Sequence, residues 1–189
     1  MSIHLNLNSL TVEAIEEYLA ITKYCVETRK NGGGIYGYPA TLLLFCVIDA
    51  IGNGKRAGKE PFRILKEAPF NCRLNDAQIK TLETWYRNPL AHEGMIAPGV
   101  CLSPEESGDA FAVVGDEPVQ IRVKTLYNLV RAAWDQIDKS TLKSNWGPRR
   151  LPKNLNPTAS PSATASVQIA VTGSLSQAQR GASSATEKP

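Results

Sequence analysis

Residues 42–51, Leu-Leu-Leu-Phe-Cys-Val-Ile-Asp-Ala-Ile, decide the fold of this 189-residue chain. The run is apolar on almost every side of a helix, so it predicts a helix in the middle of a domain. Pro39 suits the first helical position, and Gly52-Asn53-Gly54 predicts the end of that helix. The run is about half as long as the roughly 20 residues that a membrane span needs, so we expect no membrane contact.

Three further helices are predicted around this central one. Residues 12–30, a stretch that begins at Asn75, and residues 121–142 each carry apolar side chains at helical spacing. Asn75 is a candidate N-cap, because its side chain can accept a hydrogen bond from an unpaired amide of the first turn. Four helices with mostly short links predict an all-α fold, an antiparallel four- to five-helix bundle with a small β-hairpin insertion.

The remaining segments differ in composition from the helices. Two β-prone pieces, residues 100–102 and 111–114, flank a polar loop and suggest the hairpin. Residues 145–189 are rich in Ser, Thr, Ala, Pro and Gly and hold 5 Lys and Arg against 1 acidic residue, which predicts a disordered, basic, low-complexity tail. Residues 1–144 hold 16 basic against 17 acidic residues, so this expected helical domain does not bind nucleic acid by bulk charge.

The candidate chemistry lies in Trp85-Tyr86-Arg87-Asn88-Pro89-Leu90-Ala91-His92-Glu93-Gly94, at the end of the third predicted helix. Arginine offers a fixed fork of donors to phosphate oxygens, and histidine titrates near physiological pH. The chain has only one other histidine, His4. If a general acid or base of the histidine type exists here, it is therefore His92.

Pro89 decides whether the two side chains can act together. On a regular helix five residues advance about 500°, which leaves Arg87 and His92 about 140° apart around the axis. Proline lacks the backbone donor and disfavours the helical conformation of the residue before it. We therefore predict that the helix breaks between Asn88 and Pro89, and that this break swings both side chains to one side.

Arg87-Asn88-x-x-x-His92 at the end of the third helix of a small bundle resembles the signature of the HEPN superfamily, the higher eukaryote and prokaryote nucleotide-binding domains. That signature is an arginine, usually followed by a polar residue, and then a histidine. The resemblance covers roughly residues 10–144, by helix order, the apolar second helix and the motif. Some relatives that work with nucleotidyltransferases carry a modified tyrosine two residues after the histidine. Gly94 stands there, so that form of control is not expected.

The resemblance implies an all-α domain that forms a homodimer and brings two motifs into one cleft. Many such domains are metal-independent endoribonucleases, often toxins or defence effectors, with an antitoxin or regulatory protein as partner. On that model His92 acts as general base or acid on the ribose 2′-hydroxyl or the leaving 5′-oxygen. Arg87 stabilises the negative charge of the transition state, and Asn88 orients the phosphate or His92. No metal or other cofactor is expected.

Simpler interpretations of the motif stay open. Arg87 is also a favourable cation for a helix C-terminus, and His92 is also compatible with an ordinary turn. A domain that binds RNA or a protein partner without cutting is a further alternative. Asp49, inside the apolar helix, needs a partner because an unpaired buried carboxylate is costly. Arg87 or His92 is a candidate, as is a backbone amide or a tyrosine hydroxyl.

Two remaining features bear on partners and location. Lys55, Arg56, Lys59 and Arg63 form a basic connector that is a candidate RNA-binding segment, although a solvated run of charges is the commoner meaning of such a stretch. The four cysteines lack Cys-x-x-Cys spacing, which argues against zinc and for reduced thiols. No secretory signal pattern begins the sequence. We therefore expect a cytoplasmic protein.

Overall fold

The structure, a computed structural model, describes residues 7–56 and 60–142. Five α-helices account for most of this part of the chain: α1 Leu7–Glu27, α2 Gly37–Arg56, α3 Asp76–Leu82, α4 Asn88–Glu93 and α5 Val123–Gln136. Three strands, β1 Cys101–Ser103, β2 Phe111–Val114 and β3 Glu117–Arg122, form a sheet. Two 3-10 helices span Pro61–Lys66 and Lys139–Thr141, and a π-helical turn at Glu83–Arg87 joins α3 to α4. The tail predicted at residues 145–189 lies outside the described residues.

The apolar run that opened the sequence analysis forms the middle of α2 and the centre of the core. Leu44, Phe45, Val47, Ile48 and Ile51 are completely buried. Helices α1 and α5 and the 3-10 helix Pro61–Lys66 all pack against α2. The predicted central position of this helix is confirmed.

One face of α2 nevertheless remains partly exposed at the surface. Its partly exposed side chains are Leu42, Leu43, Cys46, Asp49, Ala50 and Asn53. By length and composition alone Gly37–Lys55 would pass for a membrane span, but 56% of this apolar window is buried inside the protein. Asp49, singled out in the sequence as a buried carboxylate in need of a partner, lies on this face.

The predicted end of α2 at Gly52-Asn53-Gly54 is wrong, because the helix continues to Arg56. A Cβ atom on residue 52 would lie only 2.1 Å from the carbonyl oxygen of Pro61. Gly52 therefore permits close contact between α2 and the 3-10 helix that follows it, and does not terminate the helix.

The small sheet differs from the predicted hairpin. β1 and β2 do not pair with each other; β1 pairs in parallel with β3, and β2 pairs with β3 antiparallel. The hairpin is formed by β2 and β3 around a two-residue turn, in which Gly115 adopts a φ of 61° that favours glycine. The start of the last predicted helix belongs to β3. The fold is therefore mostly helical, with a three-stranded mixed sheet in place of the simple predicted hairpin.

Candidate functional site

Helix α3 begins where the sequence predicts. The Asn75 side chain accepts a hydrogen bond from the Gln78 amide at 2.8 Å, and the Gln78 side chain accepts one from the Asn75 amide at 2.8 Å. This reciprocal capping box satisfies two amides that the first turn leaves unpaired. The direction of the helix toward the motif is thus set by local sequence.

The predicted break between Asn88 and Pro89 is wrong. Asn88 has helical angles, φ −67° and ψ −48°, and the chain continues without interruption from the π-helical turn into α4. The Asn88 amide bonds the carbonyl of Glu83, five residues back instead of four. One extra residue in the π-helical turn thus accommodates the proline without ending the helix. The helix ends at Gly94, which has a φ of 71°.

A tertiary hydrogen bond completes this arrangement. In an α-helix the carbonyl of Trp85 would accept from the amide of residue 89, which proline lacks. That carbonyl instead accepts from the Ala97 amide at 2.8 Å. Tyr86, fully buried, donates its hydroxyl hydrogen to the carbonyl of Pro118 at 2.9 Å. The turn that carries Arg87 is therefore fixed by hydrogen bonds to two segments that follow it in the chain, at Ala97 and at Pro118.

Arg87 is paired with Asp49 across the gap between the π-helical turn and α2. Nε and Nη2 donate to Asp49 Oδ2 at 2.9 and 2.8 Å, and Nη1 donates to Asn88 Oδ1 at 3.0 Å. This confirms Arg87 as the partner that the Asp49 carboxylate requires. An arginine has five N–H groups, so one on each terminal nitrogen has no partner among the described residues and is available to a ligand. Side-chain exposure is 36% for Arg87 and 14% for Asp49, so the guanidinium is the accessible member of the pair.

Burial raises the pKa of Asp49 above its usual range, while the hydrogen bonds and charge of Arg87 oppose the rise and the Glu83 carboxylate adds to it. Burial also raises the pKa of the Cys46 thiol; the Asp49 charge adds to this rise and Arg87 opposes it. Cys46 and Glu83 are thus electrostatically coupled to the Arg87–Asp49 pair, and the sequence alone did not single them out. Their positions three residues before Asp49 and four before Arg87 were the available signal, since such spacings share a helix face.

The electrostatics of Asp49 give a pH-dependent prediction for Asp49→Asn. A folded-state pKa above the unfolded value means that acidification stabilises the folded parent as the carboxylate takes up its proton. The asparagine variant lacks this gain. We expect the parent to gain free energy of unfolding relative to the variant as the pH falls through the raised pKa of Asp49 toward that of an unfolded aspartate, about 3.9. Urea denaturation of both proteins across this range measures the difference in their free energies of unfolding. If the parent instead loses free energy of unfolding relative to the variant on acidification, the interaction of Asp49 with Arg87 outweighs its burial.

His92 shares no hydrogen bond with the group around Arg87. It lies exposed in the last turn of α4, and among the described residues no hydrogen bond joins it to another group. The backbone is helical at residues 87 and 88, and on an ideal α-helix two positions five residues apart stand about 140° apart around the axis. Within one chain hydrogen bonds therefore gather Arg87, Asn88 and Asp49, and His92 is not among the residues that they join.

The basic connector is more structured than a loose charged loop. Lys55 Nζ lies 3.5 Å from the Ala68 carbonyl oxygen, and Arg63 forms ion pairs with Asp76 and Glu60. Arg56 is the last residue of α2, and Lys59 lies outside the described residues. Lys55 and Arg63 are thus held in local contacts and do not converge on Arg87.

Other candidate sites lie apart from this one. A groove of about 740 Å³ runs between residues 70–74 and β2, and no residue of the Arg87 site lines it. All four cysteines are free, and within residues 7–56 and 60–142 no three His, Cys, Asp or Glu side chains come together as a metal site would require. Comparison with known proteins yields no matching family model, curated protein or solved structure.

Proposed function

We propose that this chain is a metal-independent endoribonuclease of the HEPN kind, and that Arg87, Asn88 and His92 carry the reaction. The observation that supports it is an arginine held by a mostly buried carboxylate at the protein surface, with two N–H groups free for phosphate oxygens. Asn88 is exposed beside it, and His92 is exposed further along the same helical segment. A fixed arginine fork of this sort suits a phosphodiester.

The reaction follows from these groups. His92 removes the proton from a ribose 2′-hydroxyl, whose oxygen attacks the adjacent phosphorus while the bond to the 5′-oxygen breaks. Arg87 stabilises the additional negative charge on the phosphate oxygens in the transition state, and Asn88 orients the phosphate. A second acid must protonate the leaving 5′-oxygen. The products are a 2′,3′-cyclic phosphate and a 5′-hydroxyl, and the nucleophile belongs to the RNA, so no metal is needed to generate it.

A homodimer forms part of this proposal. One chain supplies only one histidine to the motif, so both acid and base roles require a second copy. The homodimer is itself implied by the resemblance to HEPN domains. We further propose that the helices are arranged as a HEPN-type bundle. The protein would then act in the cytoplasm as a toxin or defence effector, restrained by an antitoxin or other regulatory protein.

The proposal is tested by incubating the purified protein with mixed RNA in excess EDTA. We expect cleavage to continue, with 2′,3′-cyclic phosphate ends on the products. Loss of cleavage in EDTA, or products with 3′-hydroxyl ends, would contradict it, since both outcomes require an external nucleophile or a bound metal.

A second candidate function is a non-catalytic module that binds RNA or a protein. The observation that favours it is the lack of a partner for His92 in the described part of the chain, because a catalytic base is normally oriented by a third group. Expression in a bacterial host separates the two. An active ribonuclease toxin should arrest growth, and its His92→Ala variant should not; a binding module should be harmless in both forms.

A further inference from the structure

The corner between α1 and α2, residues 23–38, exposes an unusual share of the aromatic side chains. The chain has six tyrosines, and three of them lie in this corner. Tyr24 is 65% exposed, Tyr36 39% and Tyr38 45%. The other three, at positions 18, 86 and 127, are half-buried or buried. The aromatic surface of the described residues is therefore concentrated in one place.

The backbone brings the segments that carry these tyrosines beside one another. The Tyr36 amide donates to the carbonyl of Cys25 at 3.1 Å, which places the segment before α2 beside the residue that follows Tyr24. Gly33 and Gly34 adopt φ angles of 83° and 74° and let the chain reverse between the helices. The tyrosines thus share one corner despite their separation in sequence.

Cations surround the corner. Lys23, Arg29 and Lys30 are exposed, and Lys30 Nζ lies 5.5 Å from the centre of the Tyr36 ring. Glu27 is the only acidic residue between positions 21 and 39. None of the three cations forms an ion pair within the part of the chain that the structure describes. Aromatic faces beside cations that have no ion-pair partner suit a polyanion whose own aromatic rings are exposed.

One face of α2 runs from this corner to Asp49, the partner of Arg87. Tyr38 and Asp49 are eleven residues apart, which on an α-helix separates them by about 16 Å along the axis and only about 20° around it. Leu42, partly exposed, lies between them on the same face. A strand of a few nucleotides laid along this face would connect the corner with the arginine.

We propose that the α1–α2 corner binds single-stranded RNA, with bases stacked on Tyr24 and Tyr38 and phosphates contacted by Lys23, Arg29 and Lys30. The strand continues along α2 and presents a phosphodiester to Arg87, a step that rests on the proposed function. Unpaired bases are required because a duplex hides their faces within the stack. The substrate class is therefore single-stranded RNA.

The test measures binding by fluorescence anisotropy of a labelled oligouridine, in EDTA, with the full-length His92→Ala protein. Each stacked base is worth at least about a fivefold change in affinity, so Tyr24→Ala combined with Tyr38→Ala should weaken binding about thirtyfold. Phenylalanine at both positions should bind like the parent, because the ring is retained. Val114→Ala removes an exposed side chain elsewhere and serves as the matched control.

Two more measurements sharpen this test. Arg29→Gln with Lys30→Gln should reduce the slope of log affinity against log salt by about 1.4, the loss of two phosphate contacts on a single strand. A duplex RNA of equal length should bind the parent and the double alanine variant with the same affinity.

Unchanged affinity in the double alanine variant would overturn the proposal, as would an equal loss of affinity in the double phenylalanine variant. A changed sedimentation coefficient with unchanged RNA binding would overturn it too, and would assign the surface to a protein partner.

Failure of this inference differs from failure of the ribonuclease proposal. If no RNA is cleaved but tyrosine-dependent binding persists, the corner binds RNA and the catalytic proposal fails. If cleavage depends on His92 and binding is indifferent to both tyrosines, the catalytic proposal stands and the corner is not the binding surface.

Discussion

Alanine at position 92 should lower the rate of RNA cleavage by about a hundredfold to ten thousandfold, which is the usual contribution of a general acid or base. His92 is exposed and has no hydrogen-bond partner among the described residues, so the substitution should leave the melting temperature unchanged. Initial rates on one labelled RNA, with parent and variant at equal concentration, measure the effect. Equal activity in His92→Ala would remove His92 from the reaction.

Mixing variants tests whether two copies share each site. If Arg87 of one copy works with His92 of the other, a mixture of Arg87→Ala and His92→Ala chains contains dimers with one intact composite site. About a quarter of parental activity should then return after exchange of subunits, because half of the dimers are mixed and each holds one of two sites. No recovery, with mixed dimers demonstrated by a tag on one variant, would place both residues of each site in one chain.

The largest effect on stability is expected for Gly52→Ala. The added Cβ would lie 2.1 Å from the Pro61 carbonyl oxygen and 2.7 Å from its carbon, both backbone atoms that no side-chain rotation can move. Helix α2 and the 3-10 helix Pro61–Lys66 would have to separate, exposing part of the core. We expect the free energy of unfolding to fall by about 3 kcal/mol, the upper end for overpacking. Urea denaturation of parent and variant measures it.

Gly32→Ala is the matched control. Nothing lies within 4 Å of the Cβ that it would add, and Gly32 is not among the glycines of positive φ. Its effect should be neutral, or stabilising by up to about 1 kcal/mol through the unfolded chain. If both variants melt like the parent, the tight contact at Gly52 does not exist in solution.

These glycines show why helix ends were hard to predict. Gly52-Asn53-Gly54 has the composition of a stop, and nothing in the neighbouring sequence shows that Pro61 will pack against it. Asn75 was predicted correctly, because its capping partner Gln78 lies three residues away. A local hydrogen bond is visible in a local sequence, whereas close packing depends on a distant segment.

The motif shows the same distinction. Pro89 removes a hydrogen-bond donor, and the sequence alone favoured a break there. The structure keeps the helix because the Ala97 amide satisfies the Trp85 carbonyl and a π-helical turn absorbs the extra residue. The strand β3 was partly assigned to the last helix for a related reason. Its pairing with β1 and β2 is made by residues elsewhere in the chain.

The sequence by itself determined the helical class of most segments, the central place of α2, the start of α3 and the need of Asp49 for a partner. Each follows from periodicity, a local cap or the cost of burying a charge, which are properties of short stretches. Only the tertiary structure decided that Arg87 is that partner, that Gly52 lets two elements touch, and that the helix continues through Asn88 and Pro89. Those outcomes depend on contacts between distant segments, whose geometry no local pattern contains.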